Sequence, residues 1–316
     1  MEYVEEYKFR TAQEFLAALT PWSGVVNLEH FIFRGHSDAN YSLIPSAIRP
    51  EAKEKIWDYS SAFAKIEGST SDNDFSQAFV EYQLIRDFYR GADARGLNVP
   101  VSERLRKRLH QKVDFATMTK WIDGDKWLPS DMLEVAALAQ HYGVHTRLLD
   151  WTYDPFVAAF FASQPPGKPD RDLCIWGLNA SEIGVLDAGE KDMPLTLVTP
   201  HYSDNPNLAA QSGLFTHWAY TVPGLDSIVS GKTEILPLVD RRPLDELLKQ
   251  YVSTLTSYEA GTLFVKLILP GSESLDLARL LRKLGYGPAR IFPGYGGVAL
   301  ELQERPFLKK SNRQVN

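Results

Sequence analysis

Arginine, histidine and aspartate side chains gather in two short stretches of the chain whose chemistry suits anion recognition. The first is residues 31–36, which read FIFRGH. An apolar strand, predicted over His30 to Phe33, ends here at Arg34 and is followed by Gly35. A guanidinium is planar and always charged, so this placement suits recognition of a carboxylate or a phosphate. The other interpretation is that Arg34 pairs with a buried acid and only stabilises the fold.

The second stretch is residues 140–152, which read QHYGVHTRLLDWT and lie between two predicted apolar helices. Buried polar groups need partners, so these side chains are expected to form one connected network. In one interpretation the network only fixes the fold. In the other it lines a pocket, because loops held by a rigid scaffold often carry function. We predict that Arg34 and this stretch face a shared hollow.

A metal site is not expected from the histidine pair in this stretch. His141 and His145 are four residues apart, but Gly143 between them is expected to end the helix. Neither a cysteine ligand nor a clear third ligand accompanies the pair.

Two later stretches are weaker candidates for ligand binding. Gln211 is followed by Gly213 and Phe215, where an amide side chain before a strand offers hydrogen-bond donors. Residues 285–297 are rich in glycine and predict a short strand followed by a turn. Backbone amides in such a turn can bind an anion, but the order of glycines is not the dinucleotide-binding fingerprint.

The elements that position these residues predict an α+β fold, with a helical N-terminal half packed on a mixed or antiparallel sheet from the C-terminal half. Asp131 and Glu134 have capping-box spacing at the start of one helix. Residues 144–153 form a link, and Asp154-Pro155 is a strong start for the next helix. Helices are expected at Thr11–Leu19, Phe75–Tyr89, Ser102–Lys112, Phe156–Ala162, Leu244–Tyr251 and Ser274–Leu284, and strands at Leu173–Leu178, Leu195–Thr199, Leu214–Thr221 and Thr262–Leu269.

Composition excludes several classes of protein. The 316 residues carry 34 basic and 40 acidic side chains, a net charge of −6, which argues against a protein that coats nucleic acid. The single cysteine, Cys174, cannot form an internal disulfide. The most apolar stretch, Phe156 to Ala162, is too short to span a membrane. We therefore expect a soluble, cytoplasmic protein.

These stretches, in this order, resemble the FRG domain family, which is named for a Phe-Arg-Gly motif. Residues 33–35 match the name, and residues 141–152 are similar to the family's longest motif, with His145 where proline is usual. Gln211, Gly213 and Phe215 fit a later motif, and residues 292–294 a final one. The resemblance implies one domain over residues 1–308, with motifs from 31 to 302, a helical insertion over 52–128 and a polar tail over 309–316.

The resemblance implies a role in conflict between bacteria and phages or other mobile elements. It also suggests a distant likeness to ADP-ribosyltransferases, and hence an enzyme that binds a nucleotide and transfers or hydrolyses the ADP-ribose of NAD. NAD would be a substrate rather than a permanently bound cofactor, and a protein target is a second expected partner. The proposed catalytic residues are Arg34, His141, Arg147 and Asp150.

The same interpretation assigns ligand binding to a wider set of residues. Glu301 and Glu304 are candidates for a catalytic glutamate, although their spacing is not the usual one. The alternative is a module without catalysis that senses a ligand or binds a protein, in which Arg34, Arg147 and Asp150 form one buried ion-pair network. The proposed ligand-binding residues are Gly35, His36, Tyr41, Ser46, Tyr142, Thr146, Trp151, Gln211 and Phe215.

Overall fold

The computed structural model describes most of the chain. Two sequence predictions fall partly beyond it: the helical insertion over 52–128 is described only in part, and of the polar tail only residue 309 is described. The described residues are 3–59, 74–112, 114, 126–165, 170–189, 191–203, 205–221, 239–256, 258 and 261–309.

Within these residues, seven strands form one mixed sheet in the order β1-β9-β5-β2-β4-β7-β6, and β3 pairs with β8 separately. β1 runs parallel to β9, whereas the other neighbours in the large sheet are antiparallel. The strands are β1 (Val4–Lys8), β2 (Phe31–His36), β3 (Lys126–Trp127), β4 (Leu148–Thr152), β5 (Leu173–Asn179), β6 (Leu195–Val198), β7 (Gly213–Trp218), β8 (Tyr220–Thr221) and β9 (Phe264–Leu269).

Helices cover both faces of the large sheet, and among the described residues three short 3-10 helices lie at Ser46–Ile48, Ser130–Met132 and Gly271–Glu273. The α-helices are α1 (Ala12–Ala18), α2 (Pro50–Tyr59), α3 (Asp74–Asp93), α4 (Glu103–Lys107), α5 (Leu133–His141), α6 (Pro155–Ala162), α7 (Ala180–Asp187), α8 (Pro206–Ala210), α9 (Leu244–Ser253), α10 (Ser274–Lys283), α11 (Pro288–Ile291) and α12 (Tyr295–Lys309).

Strand β2 shows how alternation divides the core between the two faces. Phe31 and Phe33 pack with α1, α6 and α10 on one face. Ile32 packs with α7 and α9 on the other face. Because successive side chains of a strand point to opposite faces, Arg34 lies on the Ile32 face and Gly35 on the α6 face.

The predicted α+β class is confirmed, and so is the mixed character of the sheet. The prediction that the sheet comes from the C-terminal half is wrong. β1, β2 and β4 belong to the first half of the chain, and β2 and β4 are neighbours in the middle of the sheet. The sheet is formed by strands that are distant in the sequence, and local periodicity carries no information about which strands pair.

Several local predictions are also corrected. The link over residues 144–153 contains β4, and Arg34 lies inside β2 rather than at its end. Asp131 does not cap its own helix. Its carboxylate instead accepts hydrogen bonds from Ser102 Oγ and the Arg104 backbone N–H, both at 3.0 Å, at the start of α4. The glycine-rich stretch 285–297 forms α11 and the start of α12 instead of a strand and a turn.

Candidate functional site

Strand β4 separates two charged residues of the long central motif. Asp150 lies within the strand, and 59% of its side-chain surface is exposed. Arg147 comes just before the strand and is buried. Three positions along extended chain place two side chains on opposite faces, so these charges belong to different surroundings.

The exposed surroundings are held together by hydrogen bonds to Asp150. Arg34 Nη1 donates to the Asp150 backbone carbonyl at 2.8 Å and to its Oδ2 at 3.3 Å. Gln140 Nε2, from the last turn of α5, donates to Asp150 Oδ1 at 2.7 Å. Thr146 Oγ1 in turn donates to Gln140 Oε1. The carboxylate is therefore fixed in place while it faces solvent.

Arg34 also fixes the protonation state of His36. Its Nε–H donates to His36 Nε2 at 2.9 Å, so this ring nitrogen must carry a lone pair. The Nδ1–H of His36 then donates to the Tyr41 carbonyl at 3.2 Å. Burial, followed by the charges of Arg34 and Arg49, lowers the pKa of His36 to about 3. His36 is thus a neutral support for Arg34 at neutral pH.

The position of Arg34 follows from how β2 meets β4. The two strands share one registered pair, Phe33 with Thr152. Beyond that pair, the Arg34 guanidinium donates a hydrogen bond to the Asp150 carbonyl of β4, in place of a further backbone hydrogen bond between the strands. Arg34 keeps one amino group uncommitted, because no acceptor is recorded for its Nη2 in the described part of the chain.

A second arginine, which the sequence analysis did not select, lies near Arg34. Arg49 donates from Nε to the Ile44 carbonyl at 2.9 Å. Its pKa is lowered by burial and then by the positive charge of Arg34, whereas Glu51 and then Asp150 act in the opposite direction. The sequence Arg49-Pro50 could have pointed to this arginine. Proline at the first helical position marks the N-terminus of a helix, and helix N-termini favour anions.

Aromatic and imidazole side chains border these two arginines. His141 ends α5, and burial lowers its pKa while the charge of Asp150 opposes the shift. The pKa of His145 is lowered by burial and then by Lys55 and Arg49. Tyr41 is largely exposed, whereas the Tyr142 ring lies against that of His141, with 5.3 Å between the ring centres. We name the group formed by Arg34, Arg49, His141 and Asp150, with Tyr41 at its edge, the Asp150 site.

The buried surroundings of Arg147 are different. Its Nε donates to Glu81 Oε2 at 2.6 Å and its Nη2 to Glu81 Oε1 at 3.3 Å. The guanidinium also lies 5.8 Å from the Trp127 ring centre and 5.5 Å from that of Tyr220. Gln77 donates to Glu81 Oε1 at 2.9 Å, which extends the pair into α3. The sequence signal that was missed is Glu81, an acid within a largely apolar helix.

The cavity beside Arg147 measures about 20 Å³, enough for about one water molecule. The expectation that Arg34 and the central motif face a shared hollow is therefore wrong for Arg147. The single network of Arg34, Arg147 and Asp150 is wrong as well, because each arginine has its own carboxylate. Assignment of Arg147 to catalysis conflicts with its burial, since a catalytic group must touch the substrate.

Most of the other predicted ligand-binding residues have partners inside the fold. Trp151 is buried and donates from Nε1 to Thr216 Oγ1 at 2.9 Å. Phe215 and Thr146 are buried. Gln211 donates from Nε2 to the Ile291 carbonyl at 3.2 Å. These motif residues therefore belong to the interior of the fold.

Two small residues of the predicted set are accounted for by backbone contacts. Ser46 Oγ donates to the Thr146 carbonyl at 3.5 Å. A Cβ added to Gly35 would lie 1.9 Å from the Ala158 carbonyl oxygen of α6. Close packing of β2 on α6 therefore explains the glycine without a ligand.

The two candidate glutamates lie in α12 and share one partner. Arg282 Nη1 is 3.1 Å from Glu301 Oε2, and Arg282 Nη2 pairs with Glu304. Glu301 Oε2 also accepts from the Ala289 N–H at 3.2 Å. Burial raises the pKa of Glu304, and Arg282 opposes the shift. None of the contacts recorded for either glutamate is to the Asp150 site.

Across the described ranges, no group of three or more His, Cys, Asp or Glu side chains is arranged to hold a metal ion. No helix in the same ranges combines the length and apolar character needed to cross a membrane.

Part of the chain is similar to a known protein family. Residues 29–171 match the family model described as the FRG domain. The matched residues include β2, the central motif, Arg49 and Glu81, and therefore both arginine–carboxylate pairs. No curated protein and no solved structure matches the chain.

Proposed function

The chain contains an FRG domain, and from this premise we propose that its Asp150 site binds a phosphate-bearing nucleotide, with NAD as the substrate. The observation that carries the proposal is that the charges of Arg34 and Arg49 act on each other and on His36, beside the exposed carboxylate of Asp150. Like charges held close together at a surface are unfavourable, and a phosphate group between them would relieve the repulsion.

The bound groups can be assigned by their chemistry. Arg49 uses Nε on a backbone carbonyl, and no acceptor is recorded for its two amino groups among the described residues. With Nη2 of Arg34 they supply several donors for phosphate oxygens. Tyr41 offers an exposed ring for a base or for nicotinamide. This assignment keeps Arg34 and Tyr41 from the residues that the sequence analysis selected, leaves out the buried Arg147 and adds Arg49.

The proposed reaction is cleavage of the bond between nicotinamide and the ribose C1′. Nicotinamide leaves with the bonding electron pair, and positive charge develops on the ribose. The Asp150 carboxylate, fixed by Gln140 and Arg34, stabilises that charge. Water or an acceptor nucleophile then attacks C1′ and loses a proton, which neutral His141 accepts. The lowered pKa of His141 keeps its ring nitrogen available for this step.

Binding and turnover are tested separately. The thermal unfolding of the protein is measured with NAD, ADP-ribose, ATP and inorganic phosphate, and nicotinamide release is followed by chromatography. NAD and ADP-ribose are expected to raise Tm by binding the native state. Arg49→Met is expected to weaken ADP-ribose binding about tenfold, through loss of charge-assisted hydrogen bonds. Arg106→Met, which removes an exposed arginine paired with Asp93, is the matched control.

Absence of any Tm shift with all four compounds, or equal binding by Arg49→Met and the wild type, would reject the proposal. Binding of NAD without release of nicotinamide would reject the catalytic part alone. The predicted role in conflict between bacteria and phages, and the likeness to ADP-ribosyltransferases, stay predictions.

A second function, a module that senses a ligand without catalysis, is favoured by a specific observation. Thr146, Arg147, Trp151 and Phe215 of the motifs are buried and have partners or packing within the fold. Arg34→Ala shows whether Arg34 itself has a functional or a structural role, whereas release of nicotinamide by the wild type separates the enzyme from the sensing module. A folded variant without activity supports a catalytic or binding role for Arg34, whereas a collapse of Tm supports a structural one.

A further inference from the structure

A large cleft lies on a part of the surface that the Asp150 site does not use. Its volume is about 970 Å³, and its walls are formed by the end of α3, the segment 97–101, the start and end of α5, and residues near 200–205. Apolar contacts come from Phe88, Leu97, Val99, Val101 and Leu138. A cleft of this size with mostly apolar walls is typical of sites for small molecules.

Several apolar and aromatic side chains at the cleft are largely exposed to solvent. Val101 is 92% exposed and Leu97 is 60% exposed, although both border a concave surface. Tyr142 also lines the cleft with an exposed ring. Clustered exposed apolar side chains around a concave surface indicate a binding site rather than scattered surface residues.

Two carboxylates, those of Asp131 and Glu134, line the cleft together with the ionisable side chains of Tyr142 and His201. Asp131 is already engaged, because it accepts from Ser102 and Arg104 and lies 3.5 Å from the Arg104 Nε. Glu134 is partly buried, and the structure records no hydrogen bond or ion pair for it across the described ranges. A partly buried carboxylate without a partner favours a cation.

We propose that this cleft binds a cationic amphipathic small molecule. Its ammonium group pairs with the Glu134 carboxylate, and its apolar body lies against Leu97, Val99 and Val101. A neutral molecule of the same shape would leave the carboxylate without compensation, and an anionic one would be repelled. The proposal uses different residues from the Asp150 site, so the two can fail independently.

The test uses three probes of one shape and different charge: 1-naphthylmethylamine, which is protonated at neutral pH, 1-naphthylmethanol and 1-naphthylacetate. Binding is measured by fluorescence titration of the full chain. The amine is expected to bind about fivefold more tightly than the alcohol, the ratio that a partly exposed ion pair supports, and the acetate most weakly.

Two variants separate the charge from the apolar contact. Glu134→Gln is expected to abolish the difference between amine and alcohol, whereas Val101→Ser is expected to weaken both probes equally. Glu29→Gln, at an exposed carboxylate that lines another pocket, is the matched control and should leave every probe unchanged. Equal binding of all three probes, tighter binding of the acetate, or an unchanged ratio in Glu134→Gln would overturn the proposal.

Discussion

The Arg34–Asp150 and Arg147–Glu81 pairs both join an arginine to a carboxylate beside β4, but they differ in their contact with water. The side chain of Asp150 is 59% exposed, whereas that of Glu81 is 2% exposed. An exposed pair contributes little to stability, up to about 1 kcal/mol, and can be separated to admit a ligand. A buried pair cannot be separated without leaving an uncompensated charge. From this comparison we propose a binding role for the Arg34–Asp150 pair and a structural role for the Arg147–Glu81 pair.

The largest expected effect is on the buried pair. Arg147→Met keeps the length of the side chain and leaves Glu81 buried without its cation. We expect the free energy of unfolding to fall by about 3–5 kcal/mol, measured by denaturant titration. The double variant Arg147→Met with Glu81→Met should recover most of the loss, because it removes both charges. A loss below about 1 kcal/mol in the single variant would show that the pair is not a structural element.

The next effect concerns Gly35, which the sequence assigned to a ligand and the structure assigns to packing. Gly35→Ala would bring a methyl group to 1.9 Å from the Ala158 carbonyl oxygen and 2.7 Å from the Ala162 nitrogen. Backbone of α6 must move, so a destabilisation of about 1–3 kcal/mol is expected from denaturant titration. A variant of unchanged stability that binds nucleotide less well would restore the ligand-binding role.

The sequence predicted the start of α6 correctly, because an N-cap aspartate is followed there by proline. Asp154-Pro155 starts a helix as expected, and the Asp154 carboxylate accepts from the Phe156 N–H at 2.9 Å. β4 was missed because polar residues at Asp150 and Thr152 hide the apolar pattern of this buried strand. Those residues find partners on other segments, and no local pattern reports a partner that is distant in sequence.

The candidate site was predicted in part, for a similar reason. Arg34 and Asp150 were selected by residue type and meet in space. Arg147 was selected on the same grounds, but its partner Glu81 lies 66 positions earlier in the chain. Arg49 was missed because its role depends on its proximity to Arg34, which only the tertiary structure provides.

A buried neutral histidine lies near each of the two arginines, Arg34 and Arg147. The pH dependence of the free energy of unfolding therefore gives a further comparison of the two pairs. Burial and neighbouring arginines lower the pKa of His36 to about 3, and burial and Arg147 lower that of His217 to about 3. The unfolded value is about 6.5, so as pH falls from 6.5 towards 3 the unfolded state gains protons that the folded state does not. Each histidine should therefore cost about 2 kcal/mol of stability between pH 7 and pH 5.

Denaturant titration at pH 7 and pH 5 checks this expectation in the wild type, in His36→Asn and in His217→Asn. Each variant should lose about 2 kcal/mol less than the wild type on acidification, since one titrating group is absent. Carboxylates titrate alike in all three proteins and cancel in the comparison. An identical loss in a variant and the wild type would show that the histidine is protonated in the native state.

The smallest effect on stability is expected at the exposed pair, from Asp150→Asn. Asparagine keeps the shape of the side chain and an acceptor for Gln140 or Arg34, so denaturant titration should show a change below about 1 kcal/mol. The negative charge beside Arg34 and Arg49 is lost, however. Inorganic phosphate and ADP-ribose should therefore bind more tightly, by up to about fivefold, in a titration at low salt.

Turnover should respond in the opposite direction, because the carboxylate that stabilises the developing charge is absent. Release of nicotinamide from NAD is expected to fall about a hundredfold or more. Unfolding cannot produce tighter binding together with lost turnover. Arg147→Met, in contrast, should reduce both binding and turnover, because it lowers the fraction of folded protein. If Asp150→Asn instead destabilises the protein by about 3 kcal/mol, the two pairs are equivalent and the division of roles across β4 is wrong.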